Sequence, residues 1–283
     1  MKPAVVIQTD FSLTWSAVAQ MKGVMKQVDP TLELVDLCHE IKSFDPWEAS
    51  LSLQETVPYW PAGTIFVSVV DPGVGTSRRA CAAKLNSGTI VVTPDNGTLT
   101  HLVHSVGINE VREIDETVNR FHGSENVSVF HGRDLFGYCA AKLAAGVITF
   151  EEVGPAYAPQ EILECEEYSL KPVLETGHAC GFIVTGVKHY GGIRLNIPNS
   201  WMRDSGIALN DLVTVEICHN GTPVYHADMP YVPSFGYVKT GEPLLYEGSS
   251  GTLCIDLNQA NFMETCQIAT GKDWTVTIQK VGL

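Results

Sequence analysis

Four polar segments of this chain hold carboxylates, arginines, a histidine and glycines at close spacing. They are Thr9-Asp10-Phe11, Asp71-Pro72-Gly73-Val74-Gly75-Thr76-Ser77-Arg78-Arg79, Pro94-Asp95-Asn96-Gly97 and Phe130-His131-Gly132-Arg133-Asp134. The second is the most telling, because an Asp, two glycines and paired arginines after a Val-rich strand imply close backbone approach to something held there. It is not a phosphate loop, since the Gly-x-x-x-x-Gly-Lys-Ser/Thr spacing is absent, and it is not a Gly-x-Gly-x-x-Gly fingerprint. Each segment also has a plainer reading. Asp10 suits the N-cap of a following helix, and Asp95-Asn96-Gly97 suits a turn, because Asn and Gly tolerate positive φ. Asp134 suits a helix cap, Arg133 a partner for one of many carboxylates, and His131 alone a structural histidine.

The elements that must position these loops alternate in type. Residues 4–8 form a short β-rich run, 16–27 a helical pattern, 32–37 a strand and 46–57 a helix-like stretch. Residues 64–70 and 89–92 are nearly continuous apolar runs, as expected of strands covered on both faces. A helix is expected over 135–145. Repeated β-then-α order implies a mostly parallel sheet with helices on both sides, and ligands of such sheets sit off the carboxyl ends of the strands. The character changes near residue 157. Residues 158–176 are rich in Glu and Pro and read as a linker, and the chain beyond is β-rich, with Asn220-Gly221 as a hairpin turn between 213–218 and 223–226. The expected architecture is an α/β N-terminal domain (1–157) with a mostly parallel sheet. A smaller, antiparallel, β-barrel-like C-terminal domain (177–283) follows it.

Composition narrows the function classes. The chain has 283 residues, 45% apolar and 18% charged, with 18 Lys+Arg against 32 Asp+Glu and a net charge of −14. An acidic balance argues against a nucleic-acid footprint, which needs a basic face. No apolar run approaches the roughly 20 residues of a membrane span, and residues 4–7 are too few for a signal-peptide core. The eight cysteines are scattered, without a Cys-x-x-Cys pair or zinc-like His spacing, which fits buried thiols in a reducing compartment. The expectation is a cytoplasmic protein with no metal.

Taken in order, the four segments, together with Cys38-His39-Glu40-Ile41, Gly241-Glu242-Pro243-Leu244 and Asn258-Gln259-Ala260-Asn261-Phe262, are specific. Over essentially its whole length the chain closely resembles the S-adenosylmethionine (SAM) hydrolases, or SAM hydroxide adenosyltransferases, relatives of the fluorinase and chlorinase. The resemblance implies hydrolysis of S-adenosylmethionine to adenosine and methionine by water or hydroxide at C5′ of the ribose, without a cofactor. It carries an Asp-Arg-His catalytic set onto Asp71, Arg78 and His131, which the halogenating relatives lack. By the same matching it puts Asp10 on the ribose hydroxyls and Phe44 against the substrate. Tyr190 and Phe235 would flank the adenine, with Ser249 and Asn258 in segments that contact the substrate tail and base edge. It further implies a homotrimer with each site shared between the first domain of one subunit and the β domain of the next.

The sequence departs from that pattern at the amino-acid end. An Asp expected five residues after Asp10 is Trp15, and a second falls at Val187 or Lys188. The Asn that would read the adenine edge is Gly192, and the aromatic two residues on is Arg194. An ammonium without a carboxylate loses a charge-assisted hydrogen bond, roughly 1.5–3 kcal/mol when desolvated. Trp15 offers a ring face to a sulfonium or plugs the pocket. The rival readings are therefore a hydrolase of another 5′-substituted adenosine and a non-catalytic adenosine- or SAM-binding protein.

Overall fold

Strand β1 (Val5–Thr9) is buried along its whole length, which requires cover on both faces of its sheet. Its side chains alternate accordingly. Val5 and Ile7 join one core with Met21 and Met25 of helix α1 (Ala17–Val28), while Val6 joins another. The computed structural model describes residues 2–187 and 189–282, and the chain divides into the units Met1–Tyr168 and Ser169–Leu283.

In the first unit, β2 (Leu34–Cys38) and α2 (Pro46–Thr56) precede β3 (Ile65–Val69), β4 (Ala80–Leu85) and β5 (Ile90–Pro94). Helix α3 (Thr100–Ser105), strand β6 (Ile108–Glu113), the short helix α4 (Glu116–Asn119), helix α5 (Tyr138–Ala145) and strand β7 (Ala156–Tyr157) follow. The sheet order is β2-β1-β3-β5-β4-β6-β7. The β2, β1, β3 and β5 strands run parallel, and β4, β6 and β7 extend the sheet antiparallel. Helices α1 and α5 cover one face and α2 and α3 the other. Residues 161–165 are tied to this unit: the Leu163 and Cys165 N–H groups donate to Asp95 Oδ1 and Thr100 Oγ1, each at 2.8 Å.

The helix expected over 135–145 starts earlier and in another form, as a π-helical turn at Gly132–Gly137 running into α5. Such wide turns are rare and concentrate at functional sites. Asp10 caps nothing, because α1 begins at Ala17 behind Ser16. Asp134 is buried inside the wide turn, paired with Arg133 at 2.6 Å.

The second unit is antiparallel throughout its main path. Strands β8 (Val173–Glu175), β9 (His178–Gly186) and β10 (Ile193–Pro198) precede the short helix α6 (Trp201–Asp204). After it come β11 (Leu212–His219), β12 (Thr222–Pro230), β13 (Pro243–Glu247), β14 (Thr252–Leu257), helix α7 (Phe262–Cys266) and β15 (Gly271–Lys280). The order β12-β11-β15-β9-β10-β14-β13 nearly closes into a barrel, because Tyr231, just after β12, bridges to Leu245 in β13. Ile183, Leu195, Val215, Ile255 and Val276 fill its interior. The β11–β12 turn is Asn220-Gly221 with both φ values positive (50° and 76°), the geometry of a two-residue hairpin loop. Among the described residues no helix is long and apolar enough to cross a membrane, and all eight cysteines are free.

Candidate active site

The carboxyl ends of β1, β3 and β5 bring the first three polar segments together. Val70 and Asp71 follow β3, and successive turns (Val74 N–H to Asp71 O, Thr76 N–H to Gly73 O) fold the loop back on itself. Gly75 makes this possible. Its φ is +77°, and a Cβ there would lie 2.9 Å from the Ser128 carbonyl oxygen. Arg78 thereby returns onto Asp71, donating from Nε at 2.9 and 3.0 Å and from Nη2 at 2.5 Å. Asn96, in the third segment, fixes the start of this loop by donating to the Val70 carbonyl at 2.9 Å. Its neighbour Asp95 is buried and structural, accepting from Arg79 and the Tyr157 hydroxyl.

His131 completes a chain of three groups. Arg78 Nη2 lies 2.9 Å from His131 Nδ1. A guanidinium only donates, so Nδ1 accepts and the neutral ring carries its proton on Nε2. That Nε2 is buried without a hydrogen-bond partner among the described residues. Burial first, and the Arg78 cation second, hold the His131 pKa below its ordinary 6.5. The Asp71 and Arg78 side chains are only 5% and 9% exposed. Removing one partner of such a pair strands the other's charge, which typically costs about 3–5 kcal/mol.

Asp10 sits in the same cleft, a space of about 270 Å³ lined also by Asp71, His131, Phe44 and Trp15. The loop that carries it is held from below: Thr9 Oγ1 meets His39 Nδ1 at 2.9 Å, and His39 Nε2 meets Asp36 Oδ1 at 2.9 Å. Asp10 Oδ2 accepts the Phe44 N–H at 3.0 Å. Phe44 achieves this with φ +65°, an unusual conformation for a bulky residue and one that clusters at ligand clamps. Burial raises the Asp10 pKa above 3.8, the Phe44 N–H lowers it, and the nearby Asp71 carboxylate adds to the rise. Trp15 donates its indole N–H to the Phe11 carbonyl and packs edge-on to the Phe11 ring at 6.5 Å.

The remaining expected residues lie in the second unit. Tyr190, Phe235 and Asn258 line a cavity of about 660 Å³. Tyr190 is 72% exposed, and Phe235 packs at 5.1 Å on Tyr246. Asn258 spends its amide N–H on the Val238 carbonyl at 2.7 Å, anchoring the turn before β13. Ser249 is in the exposed β13–β14 turn and is not among the residues lining this cavity. Of the two positions considered for the second missing acid, Val187 accepts the Gly191 N–H through its backbone, and Lys188 lies outside the described residues. Among the lining residues that the sequence reading does not single out is Asp256, buried in β14. An acid inside the run Leu253-Cys254-Ile255-Asp256-Leu257 was the available signal. Among the described residues no three His, Cys, Asp or Glu side chains group as a metal would need.

An α/β unit with a hydrogen-bonded Asp-Arg-His chain at its strand ends, followed by a β-barrel unit with an aromatic-lined cavity, defines a recognisable class. The pattern of the SAM hydroxide adenosyltransferase N-terminal domain matches residues 5–154, and that of its C-terminal domain matches residues 183–275. The chain belongs to the SAM hydroxide adenosyltransferase family. It is 31% identical to the (R)-S-adenosyl-L-methionine hydrolase of Salinispora tropica, covering 97% of this chain and 98% of the relative. It is 25% identical to the fluorinase of an Actinoplanes species, covering 97% of each. Its fold is similar to the crystal structure of an uncharacterized conserved protein from Thermotoga maritima (TM-score 0.84, 31% identity), over 98% of this chain and 100% of that one.

Proposed function

We propose that the chain is an enzyme that hydrolyses S-adenosyl-L-methionine to adenosine and L-methionine by attack of water or hydroxide at C5′ of the ribose. The observation that carries this reading is the Asp71–Arg78–His131 chain beside a cleft that also holds Asp10. A sulfonium leaves as a neutral thioether, so the reaction needs no acid at sulfur. It needs an oxygen nucleophile that is partly dehydrated and in line with the C5′–S bond.

The Arg78 cation favours the hydroxide form of a nearby water. His131, with its proton on Nε2, donates a hydrogen bond to that oxygen and orients it; in this tautomer it is not the base. Asp71 holds Arg78 in place through the fork. The new O–C5′ bond forms as the C5′–S electron pair passes to sulfur, and one proton is released to solvent. Asp10 accepts from the ribose hydroxyls, while Phe44 packs on the substrate. Tyr190 and Phe235 flank the adenine, with Asn258 supporting the base edge and Ser249 near the substrate tail. The working form is a cytoplasmic homotrimer, each site shared between the first unit of one copy and the second unit of the next.

A second reading, hydrolysis of a different 5′-substituted adenosine, is favoured by one observation. Trp15 lines the cleft where a carboxylate for the ammonium would be needed. Incubation with S-adenosylmethionine in ¹⁸O-water, followed by chromatography and mass spectrometry, tests both. The expected products are methionine and adenosine labelled at the 5′-oxygen, with turnover reduced on the order of 10²–10⁴-fold by Asp71→Asn or His131→Ala. Adenosine binding without product sinks the proposed reaction.

A further inference from the structure

The second unit's cavity is lined by a carboxyl group that uses only one of its two oxygens among the described residues. Asp256 is 1% exposed and lines the cavity together with Tyr190 and Phe235. Its Oδ1 accepts the Leu257 N–H at 2.9 Å. Its Oδ2 is buried and has no hydrogen-bond partner among the described residues. A buried acceptor left unpaired is costly, and native structures rarely leave one without a reason. Burial pushes this carboxyl up to about 6, the mark of an acid without a compensating cation.

The chain opposite makes room for it. A Cβ on Gly192 would overlap Asp256 Oδ2, so only glycine at 192 is compatible with the carboxyl where it stands. The neighbouring Gly191 does the same for the Asn261 side chain. The Gly191-Gly192 pair thus leaves room for two polar side chains that line the cavity.

We propose that Asp256 is a specificity-determining residue: its carboxylate accepts a hydrogen bond from the 6-amino group of a purine base held between Tyr190 and Phe235. This rests on the adenosine-type substrate proposed above. A carboxylate accepts and does not donate. It therefore pairs with an amino edge and faces the oxygen of a 6-oxo edge acceptor against acceptor. A 6-amino purine is selected, and a 6-oxo purine is rejected by an unpaired, desolvated group on each side.

The test is equilibrium binding, by titration calorimetry at pH 7.5, of adenosine, inosine and unsubstituted purine riboside to the intact protein and to Asp256→Ala, Asp256→Asn and Gly192→Ala. The wild type is expected to favour adenosine over inosine roughly 10- to 100-fold, with purine riboside between them. Asp256→Ala collapses that preference. Gly192→Ala does the same by displacing the carboxyl. The near-isosteric Asp256→Asn, whose amide can both accept and donate, binds adenosine and admits inosine. A preference for adenosine unchanged within about twofold in Asp256→Ala overturns the assignment. The two proposals fail separately. Turnover of S-adenosylmethionine with no role for Asp256 in base preference removes this one. Asp256-dependent adenosine selectivity without turnover removes the hydrolase reading and leaves this one standing.

Discussion

A neutral imidazole is the form of His131 that fits against Arg78. Protonation would put an N–H on Nδ1, facing the guanidinium N–H that it now accepts. Because the His131 pKa lies below 6.5, the sign is fixed. Activity should be retained as pH falls to 6.5 and be lost only further down, as the ring charges and the Arg78 contact breaks. Initial rates of adenosine formation across pH 4.5–8 check this, and an acid limb centred at or above 6.5 would contradict it. At this scale the sequence was informative only through the joint pattern of its loops. Asp71 and Arg78 share one loop that already points to a site, but His131 lies too far along the chain for spacing to link it to them, and alone it reads as structural. Asp256 leaves only a weak trace, an acid inside an apolar run, because an acid in a strand more readily reads as a solvent-facing position. Its meaning depends on Gly192, just before β10, having no side chain.

Strands and turns were read more easily than the exact shape of the loops between them. The apolar runs around β1, β3 and β5 announce themselves because burial on both faces leaves no polar alternation to confuse. Asn220-Gly221 announces its hairpin because few other pairs accept two positive φ values. The wide turn at Gly132–Gly137 leaves no such trace, since its cause is tertiary. A Cβ on Gly132 would lie 3.0 Å from the Phe11 ring and 3.3 Å from Val69. Gly132→Ala should therefore push on the turn that presents His131. The expected result is a fall in kcat of roughly tenfold or more with KM little changed, at a stability cost on the order of 1–3 kcal/mol for overpacking. Steady-state kinetics beside a thermal melt distinguish the two effects. Wild-type kcat with a lowered melting temperature would mean that the turn absorbs the methyl group without moving His131.

Each unit has its own buried core, and the expected site residues divide between them: Asp10, Asp71, Arg78 and His131 in the first, Tyr190, Phe235 and Asn258 in the second. If trimers share sites between copies, two disabled variants can repair one another. His131→Ala and Phe235→Ala, each nearly inactive alone, are expected to regain about a quarter of wild-type turnover when unfolded and refolded together in equal amounts, because random assembly pairs an intact first unit with an intact second unit at that frequency. Light scattering gives the mass of the assembly. No recovery from a mixture that forms mixed trimers would place each site within one copy.

The fit of Gly192 against Asp256 also constrains how this protein can change. While the carboxyl stands, any side chain at 192 meets it, so the two positions cannot both be filled. A lineage moving to an amide at 192 must first lose the acid at 256, and a lineage arriving at this arrangement must first have emptied 192. The two positions are coupled in sequence space, and each can change only in a set order.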